Sequence, residues 1–508
     1  MNPVELNLFS SRLESICEQM GEVLRNAAFS PNIRDRLDFS CAVFDYQGEL
    51  SAQAAHIPVH LGSMAFAMSS VIEKVQWSEG DQVIFNDPFL GGTHLPDVTM
   101  VAPVFVEGQL TAFVVNRAHH ADIGSDSPGS MPVSTSLELE GLVISPQHYY
   151  KANQPNRELL EKLAGRLTGD DTAGDFAAQF SANRFGVSAL KALIENMSRQ
   201  MFLEGLQALN EYAAMLSRQS LEKIPDGRYE FEDLMDDDGQ ANQAIKIFLK
   251  LDICNAEVVA DFNGTADQVP GNINCPLSVA AAAVFYVFRC LMPAQTPACA
   301  GAFQTIKLAA PEGSLVNARF PAAVAAGNVE TSTRIVDVTL GALAQAIPDR
   351  VPAASHGSMN NVAMGQTGAM GWNYYETIGG GMGAHHLSDG LSAVQTHMTN
   401  TLNTPVEVLE LKYPLRIMQY AIRKNSGGTG AHNGGNGIVR AYQFTQSAQM
   451  AVLTERRHFA PWGFAGGQDG NVGENLLNGK LMPAKFQCQV QSGDLLEIRT
   501  PGGGGFGQ

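Results

Sequence analysis

Imidazole and carboxylate side chains crowd together between Asn86 and Gly124. The first block reads Asn86-Asp87-Pro88-Phe89-Leu90-Gly91-Gly92-Thr93-His94-Leu95-Pro96-Asp97. The second reads Asn116-Arg117-Ala118-His119-His120-Ala121-Asp122-Ile123-Gly124. Nitrogen and oxygen donors of these types suit zinc, manganese or iron(II). Two histidines and one carboxylate on one face of an ion leave other positions open for water and substrate. Such an ion lowers the pKa of a bound water to about 7 and polarises a carbonyl. Hydrolysis needs both.

The spacing says how the donors meet. His94 and Asp97 are three residues apart with Pro96 between them, so a turn is expected and a helix is not. A turn holds such residues within about 7 Å. Val98–Val106 and Gln109–Arg117 are β-prone runs joined by Glu107-Gly108, which predicts a tight hairpin. With Val106 opposite Gln109, Asp97 falls opposite Ala118, Pro96 opposite His119 and His94 opposite Ala121. Opposed Cα atoms lie about 5 Å apart. The open end of the hairpin then gathers His94, Asp97, His119, His120 and Asp122. A bulge at Pro103 would shift the register by one residue and exchange His119 with His120. The choice between the two stays open. His120 and Asp122 are the candidates for catalytic work, with Asp122 as a base or as the group that orients a ligand histidine.

Other motifs admit two readings. His56 and His60 are four apart with Pro58 between them. They are either substrate contacts or a second ligand pair, or else buried and satisfied imidazoles. Ser426–Gly435 contains Gly427, Gly428 and His432. Successive backbone N–H groups in such a loop can bind phosphate, or the loop is simply tightly turned. His356, His385, His386 and His397 carry less information. The chain has neither a Walker A loop nor a Gly-x-Ser-x-Gly elbow. If ATP is used, another subunit binds it.

Around these motifs, apolar spacing predicts a helix over Leu6–Leu24 and mostly helix from Arg157 to Leu216. Strands are expected over Phe39–Val143 and Gly227–Phe262, and a buried helix over Ser278–Met292. Glycine is dense from Gly357 onward and ends in Pro501–Gly507. The expected fold is α+β and multi-lobed. Residues 1–150 form a lobe with the hairpin, 151–225 a helical segment, 226–355 a second α+β lobe, and 356–508 a glycine-rich β region. A chain of 508 residues calls for roughly two to four such lobes.

A net charge of −18 repels phosphodiesters and argues against nucleic acid. The longest apolar run, Val279–Phe288, is too short to span a bilayer, and Met1–Met20 lacks the apolar core of a signal peptide. Seven scattered cysteines without a C-x-x-C fit reduced thiols in a cytosol. A cytoplasmic protein with no membrane partner is expected.

A family resemblance runs through the same residues. Ser30–Arg36, Asp38–Ala42, His56–Met64, Asn86–Asp97 and Asn116–Gly124 resemble signatures of the hydantoinase B/oxoprolinase family. Pro128–Met131, Gly327–Ser332, Thr396–Pro405, Ser426–Gly437 and Pro501–Gly507 do so as well, in order along the whole chain. Members of that family open hydantoins, N-methylhydantoins, 5-oxoproline or caprolactam at the cost of ATP, or serve acetone and acetophenone carboxylases. The resemblance implies a hydantoinase A-like ATPase partner in a hetero-oligomer and a cyclic amide substrate. It also implies a divalent metal held by a His-x-x-Asp pair and a later histidine, which falls on His94, Asp97 and His119. A carboxylase subunit and a non-catalytic scaffold for the ATPase are the alternatives. Cys299-Ala300-Gly301, where many relatives have Asn-x-Gly, leaves the substrate itself open.

Overall fold

The computed structural model describes residues 1–55, 57–60, 62–167, 170–366 and 371–508. His56 lies outside these residues. The architecture is α+β, as expected, with four sheets and their covering helices.

The first sheet contains β1 (Phe39–Asp45), β2 (Leu50–Ala55), β3 (Gln82–Phe85), β4 (Asp97–Val106), β5 (Gln109–His119), β6 (Gln147–Lys151) and β7 (Gln154–Pro155). Its strand order is β2-β1-β5-β4-β3-β6-β7, with every pair antiparallel. Both faces are covered. Cys41, Val43 and Val114 pack in the cluster that holds Leu13, Cys17 and Met20 of the helix Pro3–Ala27. Ala42, Phe44 and Val115 face Met64 and Met68 of the helix Ser63–Val71. This two-sided burial explains why the strands read as continuous apolar runs.

The β4–β5 hairpin forms as the sequence predicts. Val106 pairs with Gln109, and Glu107 and Gly108 both take positive φ, as a tight primed turn requires. The register shifts between Val104 and Phe105, next to Pro103, with Thr111 as the extra residue on β5. Asp97 therefore lies opposite His119 rather than Ala118. The bulge decides the question that spacing left open.

The helices Asp170–Met197 and Arg199–Leu221 break at Ser198, whose φ is positive. Gly227–Asp237, Gln243–Cys254, Glu257–Asp261 and Ile306–Ala309 form the second sheet. Where one β region is expected, the nine strands described from Asn361 to Arg499 split between two sheets. The largest buried cluster takes residues from Phe9 to Leu453, so the four expected segments share one core. All seven cysteines are free. Among the described residues, no helix is long and apolar enough to cross a membrane.

The glycine-rich segments pack backbone against backbone. A Cβ on Gly434 would collide with the Gly503 carbonyl, and one on Gly503 with that of Met382. The amides there fit the tightly turned reading of Ser426–Gly435. Gly427 N–H donates to Asn436 Oδ1, Gly428 N–H to Gly503 O and His432 N–H to Phe506 O. Those donors are already used within the protein.

Candidate metal centre

Three donors converge at the open end of the hairpin. His94 sits in the turn before β4, Asp97 begins β4, and His119 ends β5 directly opposite it. His94 Nε2, Asp97 Oδ1 and His119 Nδ1 form a triangle with all three sides 3.2 Å. Donors about 2.1 Å from one ion stand roughly 3.0 Å apart at octahedral angles and roughly 3.4 Å apart at tetrahedral angles. The observed spacing falls between the two. This is the one such group of three among the described residues.

The surroundings leave the donors' electron pairs free. His94 Nδ1–H donates to Ala325 O at 3.3 Å, which puts the lone pair of the neutral ring on Nε2. Asp97 Oδ2 accepts from Thr93 Oγ1 at 2.5 Å and from Asn328 Nδ2 at 3.4 Å. Asp97 Oδ1, by contrast, has no hydrogen-bond donor among the described residues. A buried carboxylate oxygen without a donor costs about 1–3 kcal/mol or more, and a bound cation removes that cost. The donor set therefore fits a divalent ion.

Electrostatics point the same way for Asp97 and His119, and the opposite way for His94. Burial alone would raise the Asp97 pKa, but the charge of His94 and the close imidazoles of His119, His60 and His94 hold it well below the usual carboxylate range. Burial pulls His119 down, aided by the charge on His94 and opposed by Asp97 and Asp38. Burial would also lower His94, yet the Asp97 carboxylate outweighs it and the net direction is up. An ionised carboxylate and a neutral imidazole are the forms that bind metal.

The other expected site residues divide clearly. His60 stands at the rim, with Nε2 3.6 Å from Asp97 Oδ2 and Nδ1 2.9 Å from Ser40 Oγ. His120 points to the other face of β5, where Nε2 contacts Gln179 Oε1 at 2.8 Å and the ring lies on Phe176. Asp122 Oδ1 accepts from Gly124 N–H at 2.7 Å and from Ser130 Oγ at 3.4 Å, outside the triangle. His432 stands 3.5 Å from Asp389 in the glycine-rich region. His385 and His386 contact each other there, and buried His356 and His397 lie outside the triangle as well.

Three neighbours were not among the expected site residues. Asp38 Oδ2 lies 4.0 Å from His119 Nδ1, because β1 pairs with β5 and sets Phe39 opposite Ala118. Tyr375 stacks on the His119 ring at 5.0 Å, and the Arg36 guanidinium lies over the Tyr375 ring at 4.7 Å. Asn328 reaches Asp97 from a distant segment. Asp38 was visible only as part of a motif, and no spacing ties residues 328 or 375 to the hairpin. A small cavity of about 20 Å³ opens on the triangle. Asp38 and His60 line it, with Ile57, Val59 and Met359 as an apolar wall and Thr377, Thr399 and Thr401 as a hydroxyl wall.

Comparison with known proteins places these features in context. A family model described as Hydantoinase B/oxoprolinase matches residues 2–508. An uncharacterized protein of Methanocaldococcus jannaschii is 39% identical over 100% of this chain and 91% of its own length. The 5-oxoprolinase 1 of Arabidopsis thaliana is 38% identical over 99% of this chain, which spans only 42% of that relative. The crystal structure of the ATP-dependent caprolactamase from Pseudomonas jessenii superimposes with a TM-score of 0.92 at 25% identity, covering 100% of this chain and 91% of that one.

Proposed function

The chain belongs to the hydantoinase B/oxoprolinase family, and from that premise we propose that it is the metal-bearing catalytic subunit of an ATP-dependent amidohydrolase that opens a cyclic amide. The observation that carries this reading is the 3.2 Å triangle of donors, with no hydrogen-bond donor to Asp97 Oδ1 among the described residues.

An unstrained cyclic amide resists water because resonance stabilises its C–N bond. Phosphorylation of the carbonyl oxygen converts it to a reactive imidate, and that explains a need for ATP. Phosphorylation falls to a hydantoinase A-like ATPase partner in a hetero-oligomer. The Arabidopsis relative supports this division, since more than half of its length lies outside the part this chain matches.

His94, Asp97 and His119 would hold a divalent ion: manganese, zinc or iron(II). Such an ion supplies Lewis-acid polarisation of the carbonyl and a water of lowered pKa. The chain's own residues do the rest. Ile57, Val59 and Met359 give the cavity its apolar lining and Thr377, Thr399 and Thr401 its hydroxyl groups, the surfaces that a cyclic amide approaching the ion would meet. Asp38, His60 and Tyr375 are the titratable groups that line the cavity beside the ligands, and proton handling is assigned to Asp38 and His60. Asp122 and His120 do not line it.

Reconstitution tests the reading. The purified chain is dialysed, its metal is counted by mass spectrometry, and turnover is followed with the ATPase partner on hydantoins, 5-oxoproline and lactams. One tightly held ion and ATP-dependent ring opening independent of bicarbonate are expected. A requirement for bicarbonate would replace hydrolysis with carboxylation. A metal-free chain, with full activity in the partner alone, would reduce this subunit to a scaffold.

A further inference from the structure

All three ligands of the triangle lie within twenty-six residues of one hairpin, from His94 to His119. The groups that hold them in place come from elsewhere. Val324–Glu330 runs into a single π-turn at Gly327–Thr331, and it reaches each ligand by a different route. Insertions of this kind in a helix recur at functional sites.

Ala325 O accepts from His94 Nδ1 at 3.3 Å and so fixes the ring's tautomer. Asn328 Nδ2 donates to Asp97 Oδ2 at 3.4 Å, which leaves Oδ1 to face the triangle. Glu330 Oε1 accepts from Asn361 Nδ2 at 2.7 Å, and Asn361 Oδ1 accepts from the Tyr375 hydroxyl at 2.7 Å. The Tyr375 ring in turn lies parallel to His119, with an interplanar angle of 6°.

The segment is itself anchored. Glu140, from the helical turn Leu137–Glu140, is fully buried. Its Oε1 accepts from Val324 N–H and Ala325 N–H, both at 2.9 Å, and from Ser134 Oγ at 2.7 Å. No hydrogen-bond donor meets its Oε2 among the described residues. Ala325 thus meets Glu140 at its N–H and His94 at its C=O, through two successive peptide groups. The group that carries the Ala325 carbonyl gives its own N–H, that of Ala326, to Asn272 O, and a hydrogen bond on one side of a peptide polarises it and strengthens the bond on the other. Asn272 O holds the next two amides, Ala326 and Gly327, each at 3.0 Å.

We propose that Val324–Glu330 is the positioning element of the metal centre, setting the three ligands through Ala325, Asn328 and Glu330, and that Glu140 is the positioning residue that holds this element. The inference rests on the reading of the triangle as a metal site. Groups of this kind around a ligand commonly change metal affinity by about 10–100-fold when removed.

The test is the zinc and manganese affinity of the full chain, measured by competition with a chromogenic chelator. Wild type is compared with Glu140→Ala, Glu140→Gln and Asn328→Ala, and thermal unfolding of each metal-free chain is recorded beside it. Glu140→Ala and Asn328→Ala are expected to weaken binding by about 10–100-fold. Glu140→Gln keeps an oxygen for the two amides and should bind close to wild type, which a loss of general stability would not produce. If Glu140→Ala fails to fold, Asn328→Ala and Glu140→Gln still decide. Tight wild-type binding with unchanged affinity in Asn328→Ala and Glu140→Ala overturns the positioning role and leaves the metal site standing. A wild type that binds neither ion overturns both.

Discussion

The donor triangle at His94, Asp97 and His119 and the ion network around Arg334, Arg456 and Lys485 both keep carboxylates out of water. In the network, each acid meets a permanent cation. Arg456 contacts Asp233 at 2.7 Å and Asp337 at 2.5 Å. Arg334 contacts Asp233 at 3.3 Å and Glu455 at 3.2 Å, while Lys485 reaches Glu455 at 2.6 Å. A guanidinium cannot lose its charge in a protein, so that compensation is built into the chain. The triangle differs in kind. Imidazoles are the ion-pair partners of Asp97, at 3.2, 3.2 and 3.6 Å, and they are cationic only when protonated. Full protonation would set His94 and His119 against each other 3.2 Å apart. Each acid of the network has a cation built into the chain, whereas under the proposed function the triangle takes its compensation from an added cation.

The largest effects should come from breaking each cluster in turn. Asp97→Ala removes the only carboxylate of the triangle. Its loss should exceed the effect of removing a supporting group and weaken metal binding by more than about 100-fold. Equilibrium dialysis followed by metal analysis reads this, and the fold should persist. Arg456→Met is expected to do the reverse. It strands Asp233 and Asp337 in the interior and should cost roughly 3–5 kcal/mol in urea unfolding, with metal bound per folded chain unchanged. Metal lost from a stable Arg456→Met chain, or retained in Asp97→Ala, would erase the distinction.

How much of this contrast is legible in the sequence depends on range. The turn at His94–Asp97, the Glu107-Gly108 hairpin and the bulge beside Pro103 are local, and all three follow from residue type and spacing. The helix Leu277–Leu291 behind Pro276 is local too. The direction of the one-residue shift is not, because it depends on which side of β5 the neighbouring elements bury. Asp38, Asn328, Tyr375 and Glu140 reach the centre only through pairing and packing between remote segments. The network is invisible for the same reason: Asp233, Asp337 and Arg456 come from three parts of the chain. Glycine density shows that the C-terminal backbone needs close approach, but not that its amides are donated to other backbone segments rather than to phosphate.

A smaller effect should appear with pH at the border of the two clusters. Burial, followed by the charge of Glu455, pushes Glu330 up to about 8 from its ordinary 4.5. The folded chain therefore holds a proton on Glu330 that the unfolded chain releases at lower pH. Stability from this group is fully present below about pH 4.5 and is lost as pH rises through about 8. At about 1.4 kcal/mol per unit, the loss across that window is a few kcal/mol. Glu140, pushed up to about 7 by burial, adds a decline in the same direction, so the comparison must be with a variant. Glu330→Gln should lose less stability than wild type between about pH 5 and pH 8, as read by urea midpoints. Equal slopes would mean that Glu330 is ionised in the fold and belongs with the compensated acids.

The smallest effect expected is also the one that most sharpens the boundary of the triangle. His119 and His120 are adjacent, equally plausible from sequence, and buried at 3% and 0% exposure. The extra residue Thr111 sets the register that aims His119 at Asp97, and strand alternation then aims His120 at the helix Asp170–Met197. There His120 meets Gln179, whose amide nitrogen already donates to Val98 O and Asn116 Oδ1. His120→Leu keeps most of the packing against Phe176 but leaves Gln179 Oε1 without that partner, a cost of about 1–3 kcal/mol in unfolding. Metal affinity should stay at the wild-type value. His119→Leu should remove the ion, because the triangle loses a corner. Two neighbouring substitutions of the same kind thus separate a ligand from a structural histidine. Metal loss in His120→Leu comparable to that in His119→Leu would show that the bulge does not fix the register, and the assignment of the three ligands would fall with it.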